Sequence, residues 1–233
     1  MRVNTGNSGF ARLDGVTTLT SSFLSDLYQL QFGAHQGDVL DIVAACIRHR
    51  ESALILLRHR ELVWPLTLFP RQDLYHLTWP LVDSLREGPL DLQVIDVEPP
   101  GLGPPEEFMS QRDPVSGNYR PLPLLLWALA LKGPRALLLK DIGGRAAYRL
   151  SPDFKPDASL LSGALGPAVR RLHSKVASLD DIARWPGMDR ERGARMLNGI
   201  YLQGGLIVLR ANRAARHAAG PIDRIRGWLN PPR

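Results

Sequence analysis

Seven prolines fall within residues 99–123: Pro99, Pro100, Pro104, Pro105, Pro114, Pro121 and Pro123. Proline fixes φ and lacks an amide proton, so no helix interior or central strand crosses such a stretch. Gly101, Gly103 and Gly117 share it, and the segment reads as a long internal loop. Regular structure must therefore be built on either side. The charge divides in nearly the same place. Residues 1–129 carry 10 Lys+Arg against 15 Asp+Glu, net −5, and residues 130–233 carry 19 against 8, net +11. A basic part joined to a mildly acidic one points to a binding protein with a separate task in each half.

Residues 1–20 are rich in Gly, Ser, Thr and Asn and read as a flexible leader. Ser21 or Ser22 can cap a helix with Phe23, Leu24, Leu27 and Leu30 on one face, and a second helix is expected from Val39 to His49. Ser52–Leu57 and Leu62–Phe69 read as a hairpin turning through Arg58 to Glu61. Pro65 inside the second run requires an edge or bulged position. A helix is expected over Gln72 to Arg86, interrupted near Pro80, and a strand over Leu90 to Val97. The almost wholly apolar run from Leu122 to Leu131 predicts a buried helix, stopped by Gly133-Pro134. Ala136–Asp141 and Arg145–Leu150 read as a second hairpin across Gly143-Gly144. The order α, α, β, β, α, β, α, β, β favours an α+β fold with a mixed or antiparallel sheet. The Pro/Ser/Asp/Gly-rich residues 151–166 read as a linker, which places an α+β sensing or docking domain at 21–150.

Residues 167–230 have a different pattern. Pro167 to Ala177 sets Val169, Leu172 and Val176 on one face and Arg170, Arg171 and Lys175 off it. Ser178 is a good N-cap, and Asp181 three residues on can return a bond to its amide. Leu179, Ile182 and Ala183 line that short helix, and Trp185-Pro186-Gly187-Met188 is a tight turn. Asp189 caps a third helix with Gly193, Met196 or Leu197, Ile200 and Tyr201 inward. Gly204-Gly205 ends it, and Leu206 to Arg210 is a strand.

The run SLDDIARWPGMDRERGARMLNGIYLQGGLIVLR, Ser178 to Arg210, resembles the winged-helix branch of the helix-turn-helix superfamily. It has one glycine more than the usual Gly-Leu-Ile entry to the wing. The resemblance implies a C-terminal winged-helix domain whose third helix lies in a DNA major groove. Arg192, Arg195 and Asn198 would then face base edges, since arginine and asparagine can read guanine and adenine, and Arg190 would also contact the DNA. Arg170, Arg171 and Lys175 on the first helix, and Arg210 and Arg213 after the wing strand, would meet phosphates. Winged helices also dock proteins, so an acidic protein partner is the alternative to DNA. The last apolar positions, Ile222, Ile225, Trp228 and Leu229, suit packing on this module or a homodimer contact through residues 221–230.

Other chemistries find little footing. Cys46 and His49 are one Cys-x-x-His pair, short of the four ligands of a structural zinc site. No nucleophile elbow is present. Asp73, Tyr75 and His76 are too close in sequence to converge as a triad on one helix. Gly101-x-Gly103 leads into prolines rather than a helix, and no phosphate-binding loop motif occurs. Asp91, Asp96, Glu98 and Asp141 read as solvated carboxylates at strand ends. No metal, cofactor or catalytic residue is expected. The single cysteine and the lack of an apolar leader or a run able to span a bilayer point to a cytoplasmic protein. The expectation is a non-enzymatic regulator that binds DNA, with the acidic half able to mask the basic face. The alternative is a protein-interaction adaptor.

Overall fold

A computed structural model describes residues 18–32, 37–78, 91–104, 118–156 and 161–210. The chain divides into two compact units. One is Met1–Ala128 with Lys132–Pro134, and the other is Leu129–Leu131 with Arg135–Arg233. Among the described residues the chain is α+β, with antiparallel sheets and six α-helices.

The first unit opens with α1 (Ser21–Phe32) and α2 (Val39–His49). Asp38 starts α2 because its carboxylate accepts the Leu40 and Asp41 amides while Asp41 accepts the Asp38 amide. The strands β1 (Ala53–His59), β2 (Leu62–Phe69), β3 (Leu74–His76), β4 (Gln93–Glu98) and β5 (Tyr119–Pro121) form one antiparallel sheet ordered β4-β1-β2-β3-β5. The β1–β2 hairpin turns at Arg60 in the left-handed region. Pairing of Ala53 with Leu68, Ile55 with Leu66 and Leu57 with Trp64 puts one buried row across both strands. Pro65 meets the requirement placed on it, because β3 covers only Thr67 to Phe69 and leaves β2 an edge at that point.

The expected helix over 72–86 is corrected at its start. Leu74–His76 is a strand, because Thr67–Phe69 offers a free ladder and Asp73 takes φ 53 to turn the chain back. The remainder of that helix, from residue 79, lies outside the described residues. The apolar run is helical as expected, α3 (Leu122–Lys132), with Leu122, Leu125, Leu126, Trp127, Leu129 and Ala130 buried.

In the second unit the expected hairpin of 136–141 with 145–150 does not form. Residues 140–142 make a 3-10 turn, and β6 (Ala147–Leu150) pairs instead with β7 (Ala177–Ser178) and β8 (Leu206–Leu209). These partners draw 135–150 into the C-terminal unit, so the chain divides at 129–135 rather than within 151–166. The unit's helices are α4 (Leu165–Ser174), α5 (Leu179–Ala183) and α6 (Arg190–Leu202). The three helices and the last strand follow the order read from the sequence, but α4 ends at Ser174 rather than Ala177, and Ala177–Ser178 forms a strand that the sequence reading placed in helices. The strand after α6, β8, pairs with β6 upstream, and the residues after 210, where a wing hairpin would return, lie outside the described residues.

Two local devices hold α6 in place. Gly193 lies against α5 so closely that an added Cβ would stand 3.0 Å from Leu179 Cδ1 and 3.2 Å from Ile182 Cγ2. At the other end the Gly205 amide donates to Ile200 O and the Gly204 amide to Tyr201 O, closing the helix as a Schellman motif. Gly204 supplies the positive φ, 71°, which explains one of the two glycines. Gly205 carries the Phe154 ring directly on its Cα, which explains the other.

Candidate functional site

Among the described residues, the basic side chains expected to meet DNA lie on α4 or at its C-cap, on α6, and just after β8. On α4, Leu165, Ala168, Val169 and Leu172 are buried, and this 3.6-residue spacing leaves Arg170, Arg171 and Lys175 exposed. The Arg171 guanidinium sits over the Trp185 ring, 5.4 Å from its centroid, so one cation is held against the α5–α6 turn.

The start of α5 is the reciprocal cap expected from its sequence. Ser178 Oγ accepts the Asp181 amide at 3.2 Å, and Asp181 Oδ2 accepts the Ser178 amide at 3.1 Å and its hydroxyl at 2.7 Å. Burial pushes the Asp181 carboxyl up, but these Ser178 bonds and the nearby Arg184 and Lys175 cations hold it below the usual aspartate range. Asp189 caps α6 by accepting the Arg192 amide at 2.7 Å.

α6 itself departs from the expectation. No residue from Gly193 to Leu202 is exposed, and Asn198 is completely buried. Asn198 Nδ2 donates to Leu137 O and its Oδ1 accepts the Leu139 amide, both at 2.9 Å. Asn198 is therefore corrected from a base-reading residue to an internal clamp on the 137–139 backbone. Arg195 is corrected likewise. Its side chain is only 15% exposed, and it donates to Glu191 Oε1 at 2.8 Å and to the carbonyls of Ala130 and Leu131 at 3.5 and 3.3 Å. Those carbonyls belong to the last turn of α3, where a cation also meets the negative end of the helix dipole.

The remaining expected contacts are mixed. Arg190 is exposed and ion-paired with Asp180, and Arg192 is exposed and donates to Gly187 O. Arg210 donates to Gly143 O at 2.9 Å and Asp141 O at 2.8 Å, so its fork braces the 3-10 turn. Arg213, with residues 221–230, lies outside the described residues.

Sequence reading missed the cleft beside these residues. A space of about 390 Å³ lies between the 136–146 loop and the starts of α5 and α6. Ala146, Leu179 and Ala194 line its floor, and Leu137, Arg145 and Arg190 stand around it. Tyr148 closes one wall. Its hydroxyl donates to Ile142 O at 2.7 Å, and burial pushes the phenol up to about 12, opposed by Arg210 and Arg190. No short motif marks this cleft, because its two sides come from segments over thirty residues apart.

In the first unit, Cys46 is buried, and burial pushes its thiol up to about 12. His49 Nε2 lies 2.9 Å from Asp26 Oδ2, which Arg48 also meets at 2.8 Å. Burial raises the Asp26 carboxyl, while the His49 and Arg48 bonds outweigh it and lower it overall. His76 is buried beside the Tyr119 ring, and burial lowers its imidazole. Among the described residues, no group of three or more His, Cys, Asp or Glu side chains is placed to hold a metal ion. No helix among them is long and apolar enough to cross a membrane.

Comparison with family models, with curated proteins and with solved structures finds no match to this chain.

Proposed function

We propose that the chain is a docking protein rather than an enzyme, its basic C-terminal unit holding an acidic protein partner. The observation that carries this reading is that no residue of α6 from Gly193 to Leu202 is exposed. A helix that enters a major groove needs a solvated face of base-reading side chains. Here Asn198 and Arg195 are spent on backbone groups of the same unit. The helix-strand-helix-turn-helix-strand order supports a winged-helix variant for this unit, one in which β8 pairs with an upstream strand, β6. That architecture serves protein docking as readily as DNA binding. A reducing, cytoplasmic setting belongs to the same reading and rests on the lone Cys46.

A second reading has its own observation. Arg170, Arg171 and Lys175 make an exposed cationic face on α4, which suits phosphates without reading bases. The test is to crosslink the full chain in nuclease-treated extract, identify what it holds in fixed stoichiometry, and rebind the purified partner at physiological salt. Rebinding of an acidic protein is expected. Binding of duplex DNA that discriminates sequence and survives physiological salt would overturn the docking reading. Duplex binding that is indifferent to sequence and steep in salt would favour the α4 phosphate reading instead.

A further inference from the structure

Leu137 is 72% exposed, more than any other large hydrophobic side chain among the described residues. Its backbone is nonetheless tied down. Leu137 O accepts from Asn198 Nδ2 at 2.9 Å and Arg135 Nε at 3.1 Å, and the Leu139 amide donates to Asn198 Oδ1. The leucine is thus held outward by a rigid support, at a cost in exposed apolar area that serves nothing within the unit. It stands on the rim of the 390 Å³ cleft, over an apolar floor that includes Leu179 and Ala194.

Two arginines, Arg145 and Arg190, line the same cleft with one carboxylate, Asp180. Arg145 is exposed, and Arg190 is 68% exposed at its side chain while ion-paired with Asp180. That pair shows Arg190 placed where a carboxylate fits. The opposite side of the loop is braced by Arg210 on Asp141 O and Gly143 O, so the walls are set before anything binds. The surplus of 19 Lys+Arg over 8 Asp+Glu in residues 130–233 points the same way.

From this juxtaposition we infer that the cleft receives an acidic segment of a partner protein. One apolar side chain of that segment packs on Leu137, Leu179 and Ala194, and a neighbouring carboxylate sits between Arg145 and Arg190. This inference rests on the docking reading above and names the chemistry of the segment that is held.

The experiment uses the full chain and three fluorescein-labelled peptides of equal length, alternating Glu/Leu, Lys/Leu and Glu/Ser. Anisotropy is read at physiological salt. Saturable binding of the Glu/Leu peptide alone is expected. Leu137→Asp and Arg145→Glu should each weaken it at least tenfold, while Arg149→Glu, a charge change equal to that of Arg145→Glu at the exposed position of β6, should leave it within twofold. Both test positions are exposed, and circular dichroism checks that each variant is folded. No saturable Glu/Leu binding, equal binding of either other peptide, or indifference to both variants would overturn the inference. Equal Glu/Ser binding would identify a surface for polyanions in general. If the inference fails while the crosslinked partner still rebinds, docking stands and the cleft is not its site. If both fail, the docking reading goes too.

Discussion

Asn198 and Leu139, fifty-nine residues apart in sequence, are joined by a buried hydrogen bond of 2.9 Å from the Leu139 amide to the asparagine Oδ1. With its amide nitrogen bound to Leu137 O, the Asn198 side chain satisfies a donor and an acceptor of a loop that has no sheet partner. Removing it leaves both without this partner. Asn198→Ala is expected to cost about 1–3 kcal/mol of unfolding free energy, measured by urea denaturation. The same variant should leave affinity for duplex DNA unchanged, whereas a base-reading asparagine would lose affinity with little loss of stability.

The Ser178–Asp181 box makes a pH prediction. Asp181 is held below its ordinary range, so the unfolded chain binds a proton more readily than the folded one. The stabilisation is present above the unfolded value and is lost as pH falls through the lower folded value, below about pH 4. Asp181→Asn should flatten the acid limb of a stability-versus-pH curve. Ser178→Ala should cost about 1 kcal/mol near neutrality. An acid limb unchanged in Asp181→Asn would show that the acid sensitivity belongs to another group.

The adjacent glycines separate two kinds of constraint. A Cβ on Gly205 would stand 2.3 Å from Phe154 Cγ, so Gly205→Ala must displace that ring and the 151–154 turn, whose Ser151 amide donates to Gly205 O at 2.8 Å. About 1–3 kcal/mol is expected. Gly204→Ala meets nothing within 4 Å and carries only the cost of φ 71°, about 1 kcal/mol. Phe154→Ala should therefore relieve most of the loss at Gly205 and none at Gly204, a double-mutant cycle read by thermal unfolding.

Cys46 offers a probe of opening. Its thiol is buried and pushed up to about 12, so little thiolate forms at neutral pH. Labelling by an aromatic disulfide reagent should be slow in buffer and fast in denaturant. Rapid stoichiometric labelling of the native protein would place the thiol at the surface.

Within a few residues of chain, the sequence was a good guide. Ser178 and Asp189 announce helix starts because a short oxygen-bearing side chain can reach the second or third amide beyond it. Val39–His49 forms the helix its apolar spacing predicts, and the wholly apolar run at 122 is helical and buried. Leu74–His76 failed that reading because a ladder already waiting on β2 outweighs weak helical spacing. Arg195 and Asn198 on α6 failed it differently. A helical wheel orders side chains around an axis but holds no information on what packs against the outer face, so Arg195 and Asn198 looked solvated.

The sequence by itself therefore determined the local grammar of this protein: the caps, the glycine-terminated α6, the β1–β2 hairpin and the split of charge. Only the tertiary structure decided that β6 joins β8, that Asn198 clamps Leu137 and Leu139, and that an anchored leucine meets two arginines at one cleft. The physical reason is range. A cap or a turn is settled by bonds between near neighbours in the chain, whereas a strand partner or a buried amide is chosen by whichever distant segment, once folded, leaves the fewest polar groups unpaired.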